Sequence, residues 1–326
     1  MLMALIVLLP PALLFLPSMC LSSRVSSSLL HKPVRMMVAD PADAALRAAQ
    51  EQLRSEQEQR DAHIATVCGA FERAAPALLD GLATQGFAVA SDFLPRATVL
   101  SLRAESEAIH ASGGMSPSMS SQLDETGAVH MYGKHNVLAT TLWDSRASPR
   151  LVEYTYALMS TLPALLNGRF SDAALSDTLQ TNKLAVCLGD GSKYDEHLDT
   201  HDGGGDLRTL ACLLYLQDEW LEEHGGCLRI FRGADAALED VPGIRVGRAE
   251  TMDAELTPIG SGTDAGARPA VDIAPLGGRL VCFWCDSSAH GVRPSYAPTE
   301  AGHRWALTVW LLRKHECTSS SGPVVH

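Results

Sequence analysis

Lys183-Leu184-Ala185-Val186-Cys187-Leu188, followed after a Gly-containing turn by Asp195-Glu196-His197-Leu198-Asp199, is where the chain stops reading as helix and starts reading as strand. The first piece is a short, nearly continuous apolar run, the pattern of a buried strand. The second sets a histidine and a carboxylate two residues apart, and in an extended chain such side chains point to the same face. An imidazole and a carboxylate on one face can grip a divalent metal. A second histidine from elsewhere would complete a 2-His-1-carboxylate triad, the ligand set of non-haem Fe(II) oxygenases. His-x-Asp arises often by chance, so the rest of the chain has to supply the partners.

Downstream the period-two pattern persists. Lys183–Leu188, Asp195–Asp199, Thr209–Leu216, Cys227–Phe231, Arg279–Cys285 and Arg304–Leu312 read as strands separated by Gly-rich or acidic turns. Many short strands with few helices between them predict a sandwich or jelly roll. Residues 232–270, rich in Gly, Ala and acids, read as a loop of nearly 40 residues, either functional or disordered. Upstream the pattern is helical from Pro41 to about Asp80, from Arg96 to Ala111 and from Leu151 to Leu166, with a short strand at Phe87–Ala90. The Ser-, Met- and Gly-rich stretch from Gly113 to Gly127 reads as a mobile loop. The expected fold class is α+β, mainly β, with supporting N-terminal helices.

Residues 2–19 are almost wholly apolar but contain Pro10, Pro11 and Pro17, which argue against a stable spanning helix. They resemble a signal peptide's core. Ser22–Val38, serine-rich with basic residues and no acid, has the composition of a transit peptide. Residues 1–38 are therefore expected to be a targeting leader, toward a complex plastid or the endoplasmic reticulum and secretion. Membrane contact would be transient through that leader, or a signal anchor if it is not cleaved. Residues 39–175 read as a helical support region with the first strand, 176–316 as the core and 317–326 as a flexible tail.

The formal net charge is -12, and the first 38 residues carry three basic groups and no acid, so the remainder sums to -15. That balance excludes nucleic acid as a partner. Eight cysteines are spread thinly and sit mostly in apolar runs, as buried free thiols acting as small hydrophobes do. Cys282-Phe283-Trp284-Cys285 lacks a second pair for zinc and lies in a strand pattern rather than at a helix start.

The third metal ligand should come from a distant strand. His290, which follows the strand Leu280–Trp284, is the best candidate; His201, His224 and His303 sit in loops or turns, where histidines are commonly solvated. An oxygenase that consumes a 2-oxo acid also needs a cation for the distal carboxylate, and a guanidinium offers a bidentate fork. Arg304, opening the apolar run Arg304–Trp310, fits that need.

With these residues in place, Leu184–Trp310 resembles the Fe(II)- and 2-oxoglutarate-dependent prolyl hydroxylases, most closely the egl-nine type that modifies hypoxia-inducible factor. The resemblance runs through Tyr194–Asp199, Cys212–Leu216 with Trp220, Gly225–Phe231, Val271–Pro275, Phe283-Trp284, His290–Tyr296 and Arg304–Trp310, and weakly back to Gly86–Val89 and Asp92–Leu94. It implies a double-stranded β-helix, cupin-like core in which His197, Asp199 and His290 bind Fe(II). Arg304 and Tyr215 would hold the distal carboxylate of 2-oxoglutarate, Leu228 and Val292 would line that pocket, and Thr308 would lie near it. Tyr194, Arg208 and Trp310 match positions that face a proline-containing peptide. The implied reaction consumes O2 and 2-oxoglutarate and releases succinate and CO2, with ascorbate maintaining Fe(II).

Three departures accompany the match: Leu188 where the oxygen-sensing enzymes have a tyrosine, an insertion at Pro298–His303, and the long 232–270 loop. The two insertions would reshape the substrate entrance. The same chemistry on a small molecule or another side chain, and a non-catalytic metal-binding module, stay open as readings. Halogenation is disfavoured because Asp199 fills the position a halide would need.

Overall fold

Side-chain alternation in the last strand shows how the chain is layered. Trp305, Leu307, Val309 and Leu311 face one core; Arg304, Ala306, Thr308 and Trp310 face the other way. The computed structural model describes residues 41–123, 128–200, 205–234, 236–259 and 266–314. The leader, the tail expected at 317–326 and His201 lie outside them.

In chain order the elements are α1 (Pro41–Thr84), β1 (Phe87–Ala90), α2 (Arg96–Ala111), β2 (Ser116–Leu123), β3 (Val129–Thr140), α3 (Pro149–Asn167), β4 (Leu175–Cys187), β5 (Ser192–His197), β6 (Arg208–Tyr215), β7 (Leu228–Ile230), β8 (Ile244–Ala249), β9 (Arg268–Ile273), β10 (Leu280–Trp284), β11 (His290–Ser295) and β12 (Arg304–Arg313). Two sheets form, one ordered β1-β10-β6-β12-β4-β3-β2 and the other β5-β11-β7-β9-β8. Every pairing is antiparallel. The fold is mainly β with supporting N-terminal helices, as expected. Among the described residues no helix is long and apolar enough to cross a membrane.

The helices cover one face of the larger sheet. Phe71 and Leu78 of α1, Leu102 of α2 and Tyr154, Leu158 and Leu162 of α3 pack on Leu184, Val186, Leu214, Leu280, Leu307 and Val309. Each such aliphatic or aromatic side chain contributes about 1.5 to 3 kcal/mol by leaving water. A second core lies between the sheets, with Ala211, Leu213, Tyr215, Val281, Phe283 and Ala306 facing Leu228, Ile230, Val271 and Ile273. The described cysteines are free, and Cys187, Cys212, Cys282 and Cys285 are buried in strands or at a strand end, as small hydrophobes. Cys212 and Cys282 are cross-strand partners within the helix-side core.

Two segments differ from the sequence reading. The loop expected at Gly113–Gly127 contains β2, an edge strand paired to β3. Its Ser, Pro and Met content has little strand preference, and tertiary pairing overrides it; Pro117 is tolerated because the strand is an edge. The 232–270 segment contains β8 and the start of β9, which pair in register from Ile244↔Ile273 to Ala249↔Arg268 and extend the smaller sheet.

Candidate active site

β5 and β11 place the two histidines. His197, at the end of one strand, is the register partner of His290, at the start of the other, and their ring centroids are 4.5 Å apart. Asp199 follows two residues after His197, as the spacing anticipates. Nε2 of His197 lies 3.8 Å from Asp199 Oδ1, and Nε2 of His290 lies 3.9 Å from Asp199 Oδ2. One ligand atom from each residue falls within a sphere of contacts no wider than 4.8 Å, and no other group of metal-binding type occurs among the described residues. His224 and His303 therefore stand outside the cluster.

The tautomers favour metal binding. Nδ1 of His197 meets the Asp195 carbonyl at 2.8 Å, and Nδ1 of His290 meets the Ser288 carbonyl at 2.9 Å. A carbonyl only accepts, so each Nδ1 carries the proton and each Nε2 presents a lone pair toward Asp199. Desolvation first, and His290 second, lower the His197 pKa, which keeps that ring neutral at physiological pH. Trp310 Nε1 donates to Asp199 Oδ2 at 2.8 Å, which fixes the carboxylate. Phe283 packs on the His290 ring with centroids 4.4 Å apart. Two imidazole nitrogens and a buried carboxylate form a donor set that suits Fe(II).

Arg304 lies on the same face of β12 as Trp310, the face turned toward the smaller sheet. It is buried, its Nε donates to the Gly226 carbonyl at 2.9 Å, and Nη2 donates to the Tyr215 hydroxyl at 3.4 Å. Gly225 and Gly226 both adopt positive φ, and a Cβ on Gly226 would crowd the Arg304 side chain. Among the described residues Arg304 has no carboxylate at ion-pair distance, so this buried cation is held by neutral acceptors alone. Leu228 and Val292 are register partners on β7 and β11 and are buried on the inner side. Thr308 lies opposite Leu213 and Lys183. Tyr194 is the register partner of Val292, and the Arg208 guanidinium lies 5.5 Å from the Trp310 ring while Asp206 grips it from the other side. The structure thus clusters His197, Asp199 and His290, with Trp310 on Asp199, and places Arg304 beside Tyr215 on neighbouring strands of the larger sheet.

The three departures look different in three dimensions. Leu188 packs toward the helix-side core, while Cys187, one residue earlier, is buried beside Arg304 and Lys183. Period-two alternation makes the thiol of Cys187, not Leu188, the pocket-facing group. The insertion at Pro298–His303 is strapped to α2: Arg103 donates to the Glu300 carbonyl at 2.7 Å and lies over the Trp305 ring. It sits at the Arg304 end of β12, six residues or roughly 20 Å from Trp310. The long segment returns beside the histidine strand, where Arg268 forms a fork with Glu196 at 2.8 and 2.7 Å.

Sequence reasoning missed Lys183 and Lys134, whose ammonium groups lie 5.2 and 5.0 Å from the Tyr194 ring centroid. A lysine with the same parity as Cys187 was the available signal for the first. Lys134 had none, because it sits on β3 next to the stretch read as loop.

Residues 182–312 match the family model for the 2OG-Fe(II) oxygenase superfamily. No curated protein matches the chain by sequence. Among solved structures the chain is similar to a prolyl-4-hydroxylase of Pseudomonas putida, at 23% identity over 74% of this chain and 100% of that one, with a TM-score of 0.51. It is also similar to a prolyl hydroxylase of Trichoplax adhaerens, solved with a hypoxia inducible factor oxygen degradation domain peptide fragment, at 21% identity over 74% and 90% of the two chains, TM-score 0.51. A prolyl 4-hydroxylase of Phytophthora capsici follows at 22% identity, 74% and 65% coverage and TM-score 0.50. Likeness at these identities is likeness of fold, here the double-stranded β-helix. Residues 182–312 thus resemble the 2OG-Fe(II) oxygenase superfamily, and the fold of the chain resembles that of the prolyl hydroxylases named above.

Proposed function

We propose that the chain hydroxylates prolyl residues of a protein or peptide, using Fe(II), O2 and 2-oxoglutarate and releasing succinate and CO2. The observation that carries the reading is Arg304: a buried guanidinium without a carboxylate partner among the described residues, on the face of β12 whose Trp310 bonds Asp199 of the His197, Asp199 and His290 cluster. Support for a prolyl peptide comes from the resemblance at Tyr194, Arg208 and Trp310, and from a fold like that of a prolyl hydroxylase solved with a peptide.

His197, Asp199 and His290 would hold the iron. When bound, the iron supplies the oxidation, coupling 2-oxoglutarate decarboxylation to insertion of oxygen into an unactivated C–H bond. The chain's own residues do the rest. Arg304 forms charge-assisted hydrogen bonds to the distal carboxylate of 2-oxoglutarate, with the Tyr215 hydroxyl beside it. Leu228, Val292 and Phe283 keep the cavity dry, which strengthens those bonds. Trp310 holds Asp199 in the orientation that serves the metal. We propose further that residues 1–38 direct the chain to an organelle or the secretory route.

The test is incubation with Fe(II), ascorbate, 2-oxoglutarate and a proline-centred peptide library, read by mass spectrometry and by succinate release. The expected result is succinate together with one added oxygen on a prolyl ring. Absence of succinate in every arm, with or without peptide, would refute oxygenase activity; succinate with no oxidised peptide would refute the prolyl substrate.

A further inference from the structure

An ammonium group on the inner face of a sheet is expensive unless something compensates it. Lys183 is such a group. It shares the inner face of β4 with Ala185 and Cys187, and β12 sets Thr308 opposite it. Its Nζ donates to Ser118 Oγ of β2 at 2.9 Å. Lys134 of β3 reaches the same Tyr194 ring and donates to the Met119 carbonyl at 3.2 Å.

Two cations therefore share one aromatic ring, and among the described residues neither has a carboxylate at ion-pair distance. Asp199 and Asp195 attract them from longer range, and the described acids nearby have closer partners. Asp199 accepts from Trp310, Asp206 grips Arg208, Glu196 grips Arg268, and Asp195 contacts Lys193 and the Tyr132 hydroxyl. A tyrosine face offsets only part of one ammonium charge. Burial, with the like charge of Lys134, brings the Lys183 pKa down to about 8, and burial lowers Lys134 as well. The pair is thus a partly desolvated positive site that, among the described residues, feels Asp199 and Asp195 only from beyond ion-pair distance.

Position says which anion it would take. Arg304 pairs in register with Cys187, and Lys183 pairs with Thr308, four residues along β12 or roughly 13 Å toward Trp310. Lys183 therefore lies toward the Trp310 end of β12, with Arg208 among its charged neighbours, and the Tyr194 ring stands between the two lysines and Arg304. We propose that Lys134 and Lys183 form an anion-receiving subsite, so that the enzyme selects substrates bearing a carboxylate close to the C–H bond to be oxidised. The inference rests on the oxygenase reading above. The carboxylate has two sources: an acidic side chain next to the target residue, or the α-carboxylate of a chain end or free amino acid.

Binding to the full chain, loaded with Fe(II) and 2-oxoglutarate without O2, separates these cases. The probes are a proline peptide with Glu beside the proline, its Gln counterpart, and a peptide ending in proline as free acid and as amide. One acid is expected to bind about tenfold more tightly than its amide, and which pair shows the difference identifies the source. The ratio should fall toward one in Lys183→Gln and Lys134→Gln and persist in Lys183→Arg. Equal binding of acid and amide in both pairs, or a preference that survives the double Gln variant, overturns the proposal. So does a loss of 2-oxoglutarate binding in the variants with an unchanged acid-to-amide ratio, because the lysines would then serve the cosubstrate. If Lys183→Gln does not fold, Lys134→Gln reads the same ratio. Because no turnover is needed, these outcomes are independent of whether succinate forms.

Discussion

Replacing Lys183 by Met should make the protein more stable at neutral pH. The methionine keeps most of the apolar stem and removes the charge. The lysine's pKa falls from 10.5 to about 8 because burial, then the Lys134 charge, disfavours the ammonium form; Arg208 adds to the fall, while Cys187 and Asp199 oppose it. At 1.36 kcal/mol per unit, that drop corresponds to about 3 kcal/mol of native-state destabilisation below pH 8. Loss of the Ser118 hydrogen bond and the Tyr194 ring contact returns about 1 kcal/mol. The net expectation is a gain of about 2 kcal/mol at pH 7. The sign follows from proton counting. Between pH 8 and 10.5 the unfolded chain holds a proton on this lysine that the native state has released, so wild-type stability rises across that window. The variant lacks this contribution, and its advantage should shrink toward zero by pH 10.5. Urea unfolding at pH 7, 9 and 10 measures both curves. A variant less stable than wild type at pH 7, or one whose advantage does not change with pH, would refute the argument.

Arg304→Lys should raise the 2-oxoglutarate requirement by roughly tenfold or more, since a point charge cannot reproduce the fork that would meet a carboxylate; an unchanged KM for 2-oxoglutarate would remove Arg304 from that role. Trp310→Phe frees Asp199 Oδ2 from its donor and should weaken metal binding by roughly 10- to 100-fold, measured by equilibrium dialysis with Fe(II) under nitrogen. Asp272→Ala leaves the fully buried Arg229 and its neighbour Arg293 without that carboxylate and should cost about 3 to 5 kcal/mol in a denaturant titration. A cost under about 1 kcal/mol there would mean that the network relaxes to find other acceptors.

The fold was legible wherever burial imposed a period. α2 and α3 follow their apolar spacing, and β4, β6, β10 and β12 lie within or beside the apolar runs expected of them. β2 and β8 were not legible; both are edge strands, as are β1 and β5, which were marked by an apolar run and by the His197-Asp199 spacing. An edge strand is paired on one side only, so its own side chains need little of the alternation that marks a central strand. Pairing energy from β3 and β9 fixes such segments, and that energy belongs to the partner's sequence as much as to their own.

The site was legible for a related reason. Metal ligation and carboxylate binding demand particular side chains at fixed spacing, so His197, Asp199, His290 and Arg304 stand out against apolar strands. Parity then decides every neighbouring assignment, because a slip of one residue moves a side chain to the opposite face. The register pair Arg304↔Cys187 puts Cys187 on the Arg304 face and leaves Leu188 against the helix-side core. The same register carries Lys183 to the inner face two steps from Cys187. Once Cys187 is the reference point, an ammonium beside the metal-binding cluster follows from the sequence Lys183-Leu184-Ala185-Val186-Cys187 alone. Lys134 could not have been placed that way, since it reaches Tyr194 through the edge hairpin of β2 and β3. His290 and Arg304 thus sit on the central strands β11 and β12, while His197 and Asp199 at the end of edge strand β5 are reported by their residue types and spacing. Half of the proposed substrate subsite sits on a strand beside the edge, where only the assembled sheet reports it.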